Sequence, residues 1–272
     1  MRSLIYQRVQ DRRILQEVVG HYTVLATIRS SISQAYRTYV TNKASPTIIP
    51  LTVTTDQKHA FELAYKGKLS SAGLDWINTI YYNGLSSCPF CGGDGARTIE
   101  HYLPQECYPE FSVYSLNLMP SCGSCNTKRN DANAYGAPIP LLHPFFDKNL
   151  LDNISLFTSV TVISGIPGFE LTYDRTLFNA TEQVRIDHHL DTSVDTIAFF
   201  NRTWASLEAL KCFSEKCATV QDFRVSILDE HIHVCESTRD LNSWHHTLCK
   251  GLKKLNNQTL ALLLEESLGR RL

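Results

Sequence analysis

Cys88-Pro-Phe-Cys91, Thr98-Ile99-Glu100-His101-Tyr102-Leu103-Pro104, Ser115-Leu116-Asn117-Leu118-Met119-Pro120 and Cys122-Gly-Ser-Cys125-Asn126-Thr127-Lys128-Arg129 follow one another within residues 88–129. The two C-x-x-C knuckles offer four soft thiolates, a closed tetrahedral set for one structural zinc with no coordination position left open. The 30 residues between Cys91 and Cys122 exceed the interval of a minimal zinc ribbon, so chemistry is to be sought in that insertion. A redox use of Cys88 needs a helix directly after it to lower the thiol pKa. Gly92, Gly93 and Gly95 break a helix there, which argues for metal over thiol–disulfide exchange.

The rest of the chain sets the frame. Its 272 residues allow one or two domains and a sizeable core. Charged residues are 19% of the chain, below the roughly 25% typical of soluble proteins, so part of the surface is expected to be covered by a partner or by other subunits. Formal net charge is −1, so any attraction to nucleic acid is local or supplied by a partner. The longest aliphatic run, Leu260 to Leu264, is far too short to span a bilayer. Asp11 and Glu17 interrupt the first residues, which argues against an export signal and for a cytoplasmic, reducing setting in which cysteines hold metal. Cys107, Cys212, Cys217, Cys235 and Cys249 share no spacing and read as small apolar residues of the core.

The expected fold class is α+β, mostly helical, in four segments. Residues 1–83 form an N-terminal helical segment in which Leu15, Val18, Val19 and Tyr22 recur at helical spacing. Thr54 and Gln57 fit a capping box, and Ser71 opens a helix through Leu74, Ile77 and Tyr81 to Gly84. Residues 84–135 hold the cysteine module, and Pro138, Pro140 and Pro144 mark its boundary. Residues 136–182 connect through a β-hairpin, with Leu156, Thr158, Val160 and Val162 alternating, a turn over Gly165 to Gly168 and a return strand over Phe169 to Tyr173. Residues 183–272 are helical, with core stripes at Ile197, Trp204 and Leu207 and at Leu252, Leu255, Leu260 and Leu263. This last segment is expected to dock a partner and to be removable without touching the cysteine module.

The order acid-His, central Asn and cysteine-flanked helix resembles the HNH nuclease family, over about 45 of the 272 residues. The resemblance implies a ββα-metal core in which the acid and histidine close the first strand. The signature positions are then His101, Asn117 and Asn126. Hydrolysing a phosphodiester needs a base for water, a cation for the phosphate and stabilisation of the departing oxygen. His101 is the expected base, since a neutral imidazole accepts a proton near pH 7. Asn117 orients the ring or its strand through an amide that does not titrate. Glu100 and Asn126 are the expected oxygen ligands of a catalytic magnesium or manganese ion, separate from the zinc. The family often has aspartate before the histidine and histidine at the third position, so Glu100 and Asn126 are expected either to weaken metal binding or to shift it toward harder ions.

Lys128 and Arg129 are candidates to contact the phosphate backbone, or else ordinary cations near a helix end. Residues 88–130 carry three cations against four acids, so other segments must help hold a substrate. Residues 1–43, with seven Lys or Arg against two acids, and residues 250–272, with five against two, are the candidates. His143, in His143-Pro-Phe-Phe-Asp147, either lines the site or finishes a loop. The pairs His188-His189, His231 with His233, and His245-His246 read as packing, because adjacent side chains on a helix diverge by about 100°. The arrangement looks like the nuclease subunits of Septu-type and retron-associated antiphage systems, which implies a DNA substrate, a separate ATPase partner and no membrane. Two rivals remain: an inactive zinc-stabilised binding module for nucleic acid or protein, and a stand-alone restriction-like nuclease.

Overall fold

The structure is a computed structural model that describes residues 1–68, 70–163 and 166–265. It is 56% helical with 10% strand in two small sheets, which makes it a mostly helical α+β protein. Residues 1–10 run extended across the molecule; the Arg2 N–H donates to the Pro89 carbonyl at 2.9 Å and the Leu4 N–H to the Pro144 carbonyl at 3.0 Å. Helices α1 (Asp11–His21), α2 (Arg29–Thr41) and α3 (Thr55–Gly67) follow. Helix α1 buries Ile14, Leu15, Val18 and Val19 on one face, and α3 opens with the expected capping box. There Gln57 N–H donates to Thr54 Oγ1 at 3.3 Å while Gln57 Oε1 accepts from Thr54 N–H at 3.0 Å.

The helix expected from Ser71 to Tyr81 is broken into pieces. A single turn over Ser70–Ala72, the short α4 (Trp76–Thr79) and a further turn over Ile80–Tyr82 replace it. Gly73 has φ +65 and Gly84 φ +70. The left-handed backbone at Gly73 stops a right-handed helix from propagating through it.

The centre of the molecule is a β-hairpin and a short helix. Strand β1 (Thr98–His101) pairs antiparallel with β2 (Leu118–Ser121) in the register Glu100↔Met119 and His101↔Leu118, and α5 (Gly123–Arg129) follows directly. Short α6 (Lys148–Asn153) leads into a second hairpin, β3 (Leu156–Ile163) with β4 (Ile166–Tyr173), whose bridging residues 164 and 165 lie outside the described residues. Ile166 to Gly168 are strand where a turn was expected, and Gly165 of that expected turn lies outside the described residues. Helices α7 (Ala180–Ser193), α8 (Thr196–Ser214), α9 (Val220–Phe223), α10 (Asp229–Ser237), α11 (Trp244–Lys254) and α12 (Asn257–Glu265) complete the described residues. Arg270 and Arg271, counted among the C-terminal cations, lie outside the described residues. Among the described residues no helix is long and apolar enough to cross a membrane.

One core runs through these elements without respecting the prolines. It joins α1, α2 and α3 to the cysteine knuckles, both hairpins, α7 and Trp244, and it includes Leu141 and Leu142 beside the proposed Pro138–Pro144 boundary. A second cluster gathers Leu207, Leu210, Leu248, Leu252, Leu260 and Leu263 under β3 and β4. Helix α11 lies so close to β3 that a Cβ on Gly251 would stand 1.9 Å from the Thr158 carbonyl oxygen. Ile197, expected in a core stripe, is 74% exposed on the first turn of α8, and Cys212 is exposed as well. Residues 183–265 pack into the cysteine module and are not separable from it. The Trp244 indole donates to the Cys91 carbonyl at 2.8 Å, and His189 donates to the Phe90 carbonyl at 3.0 Å.

Candidate metal centre and active site

Four sulfurs converge where the two knuckles meet. The Sγ atoms of Cys88, Cys91, Cys122 and Cys125 all lie within 4.8 Å of one another, and among the described residues they are the one group of three or more His, Cys, Asp or Glu able to share an ion. Tetrahedral zinc with bonds of about 2.3 Å requires sulfurs roughly 3.8 Å apart, and Cys91 and Cys122 stand 3.6 Å apart. Backbone N–H groups of Gly93, Cys122 and Cys125 point at Cys91, Cys88 and Cys122 sulfurs from 3.3 to 3.4 Å, an arrangement that favours thiolates. Donor chemistry and spacing thus fit a structural zinc. The first knuckle folds back on itself through Cys88 N–H to the Gly93 carbonyl at 2.7 Å. Gly92 there has φ +79, and a Cβ on it would meet the Asn242 carbonyl oxygen at 2.1 Å, so only glycine fits.

The two faces of the first hairpin do different things. Opposed residues of an antiparallel pair share a face, so His101 shares one with Leu118, Ile99 and Pro120, while Glu100 and Met119 turn the other way, toward α5. His101 Nε2 donates to the Ser112 carbonyl at 3.0 Å, which leaves Nδ1 unprotonated with a lone pair. Burial pushes the ring down to about 4, against the opposing effect of that carbonyl, so it is neutral at pH 7. The Tyr65 ring meets it edge-on at 4.5 Å, and Lys68 places its ammonium 5.4 Å from the centre of the Tyr65 ring. A cation is thereby brought to the His101 side of the hairpin.

Asn117 positions the loop that carries Ser112. Its Oδ1 accepts from Leu103 N–H at 2.8 Å and from the Tyr39 hydroxyl at 3.0 Å, and its Nδ2 donates to the Leu103 and Phe111 carbonyls at 3.1 and 3.3 Å. The amide is fully buried, and it ties both ends of the 103–117 loop together. The N-terminal helices grip the same loop from outside. Asp11, the first residue of α1, accepts from Ser115 N–H and Oγ at 3.0 and 2.7 Å, and Glu110 accepts from Leu51 N–H at 2.9 Å.

Four of the expected contacts with substrate or metal need correction. Arg129 is not at the surface: it is 2% exposed, its guanidinium stacks 3.9 Å over the Phe90 ring, and its Nε donates to Glu100 Oε1 at 3.0 Å. Glu100 is 4% exposed, and burial raises its pKa to about 7 despite the lowering by Arg129. A buried carboxyl already neutralised by a guanidinium is not a ready ligand for a hard cation. Asn126 donates through Nδ2 to the Ile99 carbonyl at 3.4 Å, and its Oδ1 carries no hydrogen bond among the described residues. The pair expected to hold magnesium or manganese is therefore not a formed site. Lys128 directs its ammonium to the carbonyls of Asp191 and Val194, 2.7 and 2.5 Å away at the end of α7, where the helix dipole favours a cation.

His143 does not line the site. It is fully buried, its Nδ1 accepts from the Phe145 and Phe146 N–H groups, and its Nε2 lies 3.3 Å from the Tyr39 hydroxyl. Burial holds its pKa well below the usual histidine range. It supports the Tyr39–Asn117 contact from behind. Tyr39, Tyr65, Lys68, Asp11 and the Ser112 carbonyl were missed by the sequence reading. Only Tyr65, on the helix that the capping box identifies, carried a local signal.

No protein-family model matches the chain, and no solved structure matches it. The chain is 30% identical over 146 residues to Protein ea31 of Escherichia phage lambda, which is 52% of this chain and 48% of that protein. It thus spans about half the length of the relative it matches.

Proposed function

We propose that this chain hydrolyses phosphodiester bonds in nucleic acid as a zinc-stapled ββα unit of the HNH type. The observation that carries the reading is the hydrogen bond from His101 Nε2 to the Ser112 carbonyl, because it fixes the tautomer whose Nδ1 can take a proton. In the proposed step Nδ1 accepts a proton from water, the oxygen forms a bond to phosphorus, and the bond to the departing strand oxygen breaks as that oxygen takes a proton from a solvent water. Lys68 on the His101 side offers positive charge toward the phosphate. Zinc, when bound to the four cysteines, supplies a crosslink and no reacting ligand. Glu100 and Asn126 become oxygen ligands for magnesium or manganese only if Arg129 releases Glu100. DNA as the substrate, a cytoplasmic antiphage role and an ATPase partner belong to the same proposal and rest on the HNH resemblance.

A second reading is favoured by the Glu100–Arg129 pair: with the acid neutralised from within, the module binds rather than cuts. Cleavage of plasmid and of single strands with added magnesium or manganese, comparing the wild-type protein with His101→Ala, separates the two. Cutting that His101→Ala removes with zinc content and melting temperature unchanged supports hydrolysis. Absence of cutting by a folded, zinc-loaded protein rejects it.

A further inference from the structure

A cleft of about 890 Å3 opens between the extended residues 2–9 and the turns around α4, with Leu118 and Pro120 of β2 among its lining residues. Those two belong to the His101 face of the hairpin. The cleft collects Arg2, Arg8, Lys148 and Arg239 against one carboxylate, Asp152, and that carboxylate is already bonded to Lys148 and Ser3. Arg8 is exposed and has no ion pair among the described residues. In a chain of net charge −1 this is a marked local excess of cations. A second cleft of about 440 Å3 shares Arg8, Val9 and Trp76 with the first and adds one cation, Arg13, and one acid, Glu17, so the two adjoin as a trough past Trp76 that keeps its excess of cations.

The aromatic side chains specify the occupant. Tyr82 lines the trough and is 87% exposed, although a ring of that size is usually covered. Trp76 is half-buried against the main core and Tyr82 is open; cations along a groove beside an open ring are the recognition chemistry of an unpaired strand, whose bases expose faces for stacking. A duplex keeps its base faces covered by neighbouring pairs, and an acidic peptide has no such faces to offer.

We infer that this trough binds a single strand of nucleic acid, with phosphates along Arg2, Arg8 and Arg239 and bases against Trp76 and Tyr82, and leads it to the His101 face of the hairpin. The inference deepens the hydrolysis reading by naming its substrate class, and it rests on that reading for its purpose. Binding itself is measured without any cleavage.

The experiment is fluorescence anisotropy of labelled oligothymidylate with full-length, zinc-loaded His101→Ala protein and no added magnesium or manganese. The expected result is salt-dependent binding that Tyr82→Ala weakens roughly tenfold. Arg8→Glu should also weaken it and lower the slope of log K against log salt by roughly 0.7 or more. Both side chains are exposed, so melting temperature and zinc content should not move. Arg12→Glu, exposed on α1 but outside the trough, makes the same charge change and should leave affinity near the parent value. Equal losses for Arg8→Glu and Arg12→Glu, no effect of Tyr82→Ala, equal affinity for a duplex of the same length, or displacement by polyglutamate at matched charge would each overturn the assignment. If the strand binds as described while the wild-type protein never cuts, the trough stands and the hydrolysis reading falls.

Discussion

Arg129 Nε lies 3.0 Å from Glu100 Oε1 where both side chains are almost wholly out of water, 1% and 5% exposed. Only one guanidinium nitrogen meets the carboxylate, and the Arg129 terminal nitrogen NH2 has no acceptor among the described residues. Such a pair gains less than a bidentate one. Removing one partner nevertheless strands a buried charge. Arg129→Met should lower unfolding free energy by about 3–5 kcal/mol, and adding Glu100→Gln should recover most of that loss. Urea denaturation of the two single variants and the double variant measures it. Strict additivity would show that the two groups are not coupled.

The first cysteine knuckle is braced by Trp244, 153 positions beyond Cys91. Trp244 donates its indole N–H to the Cys91 carbonyl and its backbone N–H to the Gly92 carbonyl at 3.0 Å, and a Cβ on Gly93 would stand 2.9 Å from its ring. Trp244→Ala should therefore cost about 3–5 kcal/mol and speed zinc loss to a chelating dye. Trp244→Phe keeps the ring but leaves the Cys91 carbonyl short of a donor, at about 1–3 kcal/mol. Truncation before residue 183 should fail to hold zinc at all. A truncated protein with normal zinc retention would contradict this coupling.

Acid should destabilise the fold through buried neutral histidines. His189 accepts from Leu142 N–H on Nδ1 and donates from Nε2 to the Phe90 carbonyl, and burial pushes it down to about 3. The unfolded chain takes up a proton near pH 6.5 that the folded ring refuses, so stability is full above that pH and falls as pH drops toward 3. His246, lowered to about 4, acts in the same sense. Glu110, raised to about 7 by burial, acts oppositely: its contribution is full below about pH 4.5 and is lost as pH rises through 7. Between pH 6.5 and 4.5 these effects oppose, and below 4.5 only the histidines still change. Each contributes a slope of up to about 1.4 kcal/mol per pH unit between pH 6.5 and its own folded value, so His246 levels off near pH 4 and His189 near pH 3. His189→Gln should be less stable at pH 7 but flatter by about that slope, as read by urea melts at several pH values.

What could be read from the sequence was local. The C-x-x-C spacings bring their sulfurs together, the Thr54–Gln57 capping box forms, and the apolar stripe of α1 is buried, because each depends on residues a few positions apart. Arg129 defeated the reading because a cation at a helix end looks the same whether it faces solvent or a buried acid. Here the deciding partners are Phe90 and Glu100, which only tertiary packing delivers. The role of residues 1–83 was hidden for the same reason. Asp11 and Ser115 are 104 positions apart, as are Tyr39 and His143, and no periodicity signals that α1 and α2 hold the loop behind His101. His143-Pro-Phe-Phe-Asp147 left open whether His143 lines the site or finishes a loop, and the structure encloses it among Phe145 and Phe146.

Asn117 offers a test of whether the loop tunes His101. Its amide makes four hydrogen bonds, none to the imidazole, and holds the segment whose Ser112 carbonyl fixes the ring. Asn117→Ala leaves buried groups of Leu103, Phe111 and Tyr39 short of a partner and should cost about 3 kcal/mol. A merely structural effect stops at stability. Positioning predicts more, because a loosened loop lets water reach His101 and releases its pKa from about 4 toward the unperturbed value of about 6.5. Under the hydrolysis reading, kcat/KM of the wild-type protein should be flat from about pH 5.5 to 8, with its acid limb lower still. Asn117→Ala, assayed well below its melting temperature, should lose half its remaining activity near pH 6. An unchanged acid limb would leave Asn117 as a loop staple with no hold on the base.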